Sequence, residues 1–183
     1  KGRAGKEDQG KEDAAAEEKK ALKFGKELEG LIKTAINTKK LDLSERNLPE
    51  LPKEVYSCTG LRQLWFHCNK LKRIPQELIA MRTIMQLRMY DNELTCLPDN
   101  IGDLSVLQVL WLQNNRISSI PLSIGNCVDL RILSLYGNPI NALPITLIKC
   151  VEMKELQVDF SNISVPPFSI VQKGVNPIMI YLK

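Results

Sequence analysis

A chain of 183 residues with 44% apolar content can bury one core or a short array of repeats, and aromatics at 5% are few enough for each ring to be worth locating. No stretch approaches the roughly 18 apolar residues that cross a bilayer, and no secretory signal pattern is visible. The net charge of +4 says little until it is known which surface carries it. Five cysteines, at 58, 68, 96, 127 and 150, contain no CxxC pair; this argues against a zinc framework or a disulfide scaffold and for a reducing, cytoplasmic setting.

Residues 1–20, KGRAGKEDQGKEDAAAEEKK, are nearly all charge, glycine and alanine and predict a solvated tail with no core of its own. Residues 21–37 place Phe24, Leu28, Leu31, Ile32 and Ala35 at helical spacing, which predicts an amphipathic capping helix, weakened by Gly25 and Gly30. A membrane-surface role for this helix has only the neighbouring lysines in its favour.

From residue 38 the chain repeats. LRQLWFHCNKLKRIP, IMQLRMYDNELTCLP, LQVLWLQNNRISSIP and LRILSLYGNPINALP begin at 61, 84, 107 and 130, each 23 residues after the last. Degenerate copies, LDLSERNLPELP and MKELQVDFSNISVPP, flank them and bring the array to six units over 38–167. The fourth to sixth positions alternate as a short strand does, so Leu110 and Leu112 face inward while Trp111 faces out. No such strand is stable alone; stacked copies make a parallel sheet with a shared core.

The ninth position holds Asn69, Asn92, Asn115 and Asn138, an expected ladder of amides that satisfy backbone groups at the bend after each strand. The ladder is replaced by Arg46 and Ser161 at the two ends. The eighteenth and twenty-first positions are apolar in the first five units, and Cys58, Cys127 and Cys150 fall in the latter as small buried hydrophobes. Residues 168–183, with Phe168, Ile170, Val171, Ile178, Ile180 and Leu182, are expected to close the far end.

The pattern L-x-x-L-x-L-x-x-N-x-L-x-x-I/L-P resembles that of leucine-rich repeats over roughly three quarters of the chain. Its 23-residue period with Ile-Pro or Leu-Pro resembles the intracellular Ras-pathway scaffold and plant Ras-group repeat proteins, and QKGVNPIMIYLK is similar to their closing segment. The resemblance implies an α/β solenoid, with a curved sheet of short parallel strands on the concave face and helical or 3-10 turns on the convex face. It specifies fold better than partner.

The third, fifth, seventh and eighth positions are expected to project into the concave surface. There the sequence gathers Trp65, Arg88 and Trp111 at the fifth position, His67, Tyr90, Gln113 and Tyr136 at the seventh, and Phe160 at the eighth. Such residues anchor protein interfaces, because each covers much area with few rotors. Trp65, Arg88 and Trp111 stand on consecutive repeats and are placed to stack as a cation–π ladder. The same face carries Lys40 and Arg88 against Asp42, Glu45, Asp91, Glu155 and Asp159, a net of −3 that repels a phosphate backbone and excludes nucleic acid as its partner.

No phosphate-binding glycine loop, HExxH or cluster of metal ligands is visible, and Gly137 is a lone turn glycine. His67 and Cys68 are adjacent and are expected to point to opposite sides of a strand, so no nucleophilic pair is assigned. The expectation is a non-enzymatic module without metal or cofactor. It binds a protein partner, with a small GTPase, a phosphatase or a kinase as what the Ras-group resemblance implies. The alternative is a structural subunit of a cytoskeletal or ciliary assembly.

Overall fold

The protein is described from a computed structural model, which covers residues 22–159 and 162–183. The expected tail over 1–20, Phe160 and Ser161 lie outside the described residues.

Six three-residue strands form the sheet: β1 (Lys40–Asp42), β2 (Gln63–Trp65), β3 (Gln86–Arg88), β4 (Val109–Trp111), β5 (Ile132–Ser134) and β6 (Glu155–Gln157). They lie side by side in chain order, all parallel. Each residue pairs with its counterpart one repeat on, as in Leu87↔Leu110↔Leu133. Fourth-position leucines from Leu41 to Leu133 are buried, as are Leu43, Phe66, Met89, Leu112, Leu135 and Val158 at the sixth. The intervening fifth position therefore faces the other way, as the alternation requires.

The return path along the convex side is held by a relay of three-residue turns. Each conserved-spacing proline offers its carbonyl to the N–H three residues on: Val55 to Pro52, Leu78 to Pro75, Ile101 to Pro98, Ile124 to Pro121 and Leu147 to Pro144. The eighteenth-position residue then accepts from the twenty-first, and the twenty-first from the first residue of the next unit, as Cys127 N–H to Ile124 O and Leu130 N–H to Cys127 O show. Proline suits the start of this relay because the fixed φ leads into the turn and the missing N–H has no partner to lose. The resulting elements are 3-10 turns at Lys53–Ser57, Ile101–Asp103, Leu122–Asn126 and Ile145–Lys149, and a single α turn at Gln76–Ile79. Cys127 and Cys150 are buried beneath them, and their thiols donate to the carbonyls of Ile101 and Ile124 in the preceding repeat. Burial pushes the Cys127 thiol up to about 12, with Cys150 adding to the effect, and burial pushes Cys150 up to about 11. Both are packing residues, as read from their repeat position.

The expected capping helix spans 22–38. Leu28 and Ala35 are buried, and Phe24, Leu31 and Ile32 pack against the core. Arg46, which replaces the first ladder asparagine, has a distinct task. Its guanidinium pairs with Glu27 at 2.8 Å and lies over the Phe24 ring at 5.8 Å, tying the helix to the first turn. The pair is half-exposed and worth at most about 1 kcal/mol. Arg46→Ala should therefore speed amide hydrogen exchange in 22–38 while leaving the protection of β3 and β4 unchanged; uniform loss of protection would refute this local role.

The far end differs in part from expectation. Val171, Ile178 and Leu182 are buried and Ile170 is partly so, but Phe168 and Ile180 are 56% and 73% exposed. The segment forms two short helices, Phe168–Val171 and Val175–Leu182, rather than one continuous cover. Ile178 and Leu182 are four residues apart and share a helix face, which leaves Ile180 pointing away. No helix among the described residues is long and apolar enough to cross a membrane.

Candidate protein-interaction surface

The asparagine ladder fixes the end of each strand and so the side chains around it. The Asn92 amide donates to the carbonyls of Phe66, Met89 and Tyr90, and its oxygen accepts from the Leu71 N–H at 2.9 Å. Asn69, Asn115 and Asn138 repeat this pattern and all four are buried. Just before each ladder position, Arg46 included, the chain turns through a left-handed residue. Glu45, Cys68, Asp91, Asn114 and Gly137, all at the eighth position, have φ between 53° and 71°.

In-register parallel strands place fifth-position residues one above the next, roughly 4.8 Å apart, close to the stacking distance of planar groups. Trp65, Arg88 and Trp111 use this coincidence. The Arg88 guanidinium carbon lies 4.4 Å from the ring centroid of Trp65 and 4.4 Å from that of Trp111, so the cation is sandwiched between two indoles. A second stack runs beside it: His67 and Tyr90 are parallel, with centroids 4.3 Å apart and planes 6° apart. Tyr90 then meets Trp111 tilted at 52°, 6.3 Å away, joining the two stacks.

Five of the expected residues thus form one assembly. The ladder was foreseen at the fifth position; the His67–Tyr90 pair was not, although its two-repeat alignment at the seventh position was the available signal. Gln113 is half-buried next to this assembly in sequence register, and Tyr136 is 57% exposed one repeat further. Ser134, also at the fifth position, is buried instead, and its hydroxyl donates to Gln157 Oε1 at 2.6 Å.

Polar atoms in and beside this assembly are buried without a partner. Trp65 Nε1, Arg88 Nε, His67 Nδ1 and Gln113 Oε1 have no hydrogen-bond partner among the described residues. Between Trp65 and the capping helix lies a shallow recess of about 210 Å³ lined by Leu31, Thr34, Lys40, Leu41 and Asp42. Burial raises the Tyr90 hydroxyl above its ordinary range, with the Cys68 thiol adding and Arg88 opposing, so the Tyr90 ring stays neutral.

One expectation about chemistry is corrected. Cys68 does not stand across a strand from His67, because the strand has ended at Trp65 and residue 68 is left-handed at φ 55°. As a result the donor atoms of Glu45, His67 and Cys68 lie within 4.8 Å of one another, a grouping of metal-ligand types that sequence spacing had not suggested. The Cys68 thiol donates to Asp91 Oδ2 at 3.6 Å. Burial, then Asp91 and Glu45, hold this thiol above its ordinary range, so it is no activated nucleophile.

Comparison with known proteins follows the geometry. The family model for Leucine Rich repeats (2 copies) matches residues 105–148. An LRR protein of Leptospira interrogans superposes with a TM-score of 0.61 at 28% identity, over 72% of this chain and 41% of that one. The fold is a leucine-rich-repeat solenoid. A plant peptide hormone receptor, RGFR1 in complex with RGF2, gives a TM-score of 0.61 at 32% identity, over 68% of this chain and 21% of the receptor. An internalin of Listeria monocytogenes shares the fold at 20% identity and a TM-score of 0.59, over 68% of this chain and 34% of that one. The chain therefore matches between about a fifth and two fifths of the length of each of these proteins. A comparison with curated proteins returns no significant match. None of these findings singles out the Ras-pathway group.

Proposed function

We propose that the chain is a protein-interaction module of scaffold or adaptor type that engages its partner through the concave face, around Arg88. The observation that carries this reading is the Trp65–Arg88–Trp111 sandwich, flanked by His67 and Tyr90. Its side chains are already ordered by one another, so binding loses little rotamer entropy. The edge of the guanidinium suits a carboxylate or backbone carbonyl on the partner. The surrounding acids, Asp42, Glu45, Asp91, Glu155 and Asp159, favour a partner surface that is otherwise neutral or basic. The plant receptor among the structural relatives holds a peptide, which supports a protein or peptide ligand. Five free cysteines suit a reducing cytoplasm. A small GTPase, a phosphatase, a kinase or a cytoskeletal subunit is compatible with this surface chemistry.

Affinity purification from native cells tests the reading, with wild type beside the Trp65→Ala/Trp111→Ala double variant. The half-exposed rings contribute about 1 kcal/mol each to stability through the cation–π contact. The double variant should therefore fold, as checked by circular dichroism, and lose the partner set that wild type retains. Retention of the same partners by a folded double variant would place binding elsewhere on the molecule.

A further inference from the structure

We propose that Glu45, His67 and Cys68 form a binding site for a divalent transition-metal ion of the zinc class. A carboxylate oxygen, an imidazole nitrogen and a thiolate make a mixed, borderline-soft donor set that suits zinc; magnesium and calcium, which take oxygen ligands, would not use the thiol. The three donor atoms lie within 4.8 Å of one another, whereas the edges of a tetrahedral zinc site are roughly 3.3 to 3.8 Å. Closing the set takes side-chain movements of about 1 Å.

The frame beneath the donors is fixed. Glu45 and Cys68 occupy the same left-handed turn position in adjacent repeats, with φ of 60° and 55°. Their N–H groups donate to His67 O and Tyr90 O, both at 3.0 Å. The His67 ring is held flat against Tyr90, and its Nδ1 has no hydrogen-bond partner among the described residues. Asp91, hydrogen-bonded to Asn114 at 2.8 Å, adds a second carboxylate beside the thiol. Two anions around Cys68 disfavour a bare thiolate and favour a cation that neutralises all three groups. The thiol proton passes to solvent as the sulfur–metal bond forms. Three protein donors leave a fourth position for water or a donor from a partner. The site shares His67 with the aromatic assembly but takes no donor from Trp65, Arg88 or Trp111, so the Trp65→Ala/Trp111→Ala variant tests docking without removing a metal donor.

Cobalt(II) titration of the full chain, under a reductant that does not bind metal, tests the site by absorbance. Wild type should develop a thiolate-to-cobalt charge-transfer band that zinc(II) abolishes. Cys68→Asn should remove the band while keeping the fold, because Asn114 already occupies the equivalent turn at φ 54°. Cys96→Ser should leave it intact. His67→Phe preserves a ring against Tyr90 and should weaken zinc binding by at least the roughly tenfold that even outer-shell changes cost. Absence of the band in wild type, or its persistence in Cys68→Asn, would overturn the assignment.

Discussion

Asn115→Ala should lower the free energy of unfolding by about 3 kcal/mol, the upper end of the cost of stranding buried polar groups. The Asn115 amide donates to the carbonyls of Met89, Leu112 and Gln113, and its oxygen accepts from the Leu94 N–H. Alanine withdraws all of these at a residue only 6% exposed, where solvent has little room to replace them. Asn115→Asp is the sharper comparison. It keeps the size of the side chain but sets a carboxylate, which has no donor, against three carbonyl oxygens, and it should destabilise at least as much as alanine. Urea unfolding of the three proteins reads the difference. Coincident midpoints for wild type and Asn115→Ala would mean that the turn satisfies its own backbone.

Gly125→Ala should have an effect of similar size, about 3 kcal/mol, for a steric reason. A Cβ on Gly125 would run into the Thr146 carbonyl oxygen and lie 2.7 Å from the Thr146 Cβ. One on Gly102 would meet the Ser123 carbonyl oxygen and lie 2.8 Å from the Asn126 Cβ. Both glycines sit within the 3-10 turns, and the obstacle is backbone or Cβ in the next repeat, so no rotamer change relieves it. Relief requires adjacent turns to splay, which loosens the core over Ile124 and Leu147. Gly25→Ala is the control of opposite sign: nothing lies within 4 Å of its would-be Cβ, and alanine stabilises an exposed helix by up to about 1 kcal/mol. Wild-type stability in Gly125→Ala would show slack between the turns that the close approach denies.

Period and polarity made the sheet legible. Leu64, Leu87, Leu110 and Leu133 recur at one position and are buried, and the residues between them turn outward together. The aromatic assembly was legible for the same reason, since equal register positions in a parallel sheet become neighbours. The eighth-position turn was not. Glu45, Cys68, Asp91, Asn114 and Gly137 share no side-chain chemistry, yet all are left-handed. Only Asp91, Asn114 and Gly137 favour that backbone intrinsically; Glu45 and Cys68 are held in it by the ladder and the neighbouring repeats. Missing that turn is what placed Cys68 away from His67. The glycines at 102 and 125 were similarly silent, because a close approach between repeats leaves no trace in hydrophobic periodicity. Arg46 looked like a failed ladder position until Glu27 and Phe24 were found against it.

Every strand pairs with the one 23 residues further on, and the asparagine amides reach 26 residues back to the preceding repeat. Building this sheet from the unfolded chain therefore never closes a loop much longer than one repeat, and loop-closure entropy rises only with the logarithm of that length. Folding can begin anywhere along the array, and each further repeat docks onto an edge that already exists. Contact order relative to chain length falls as the array grows, so a longer solenoid of this kind meets no slower topological search than a short one.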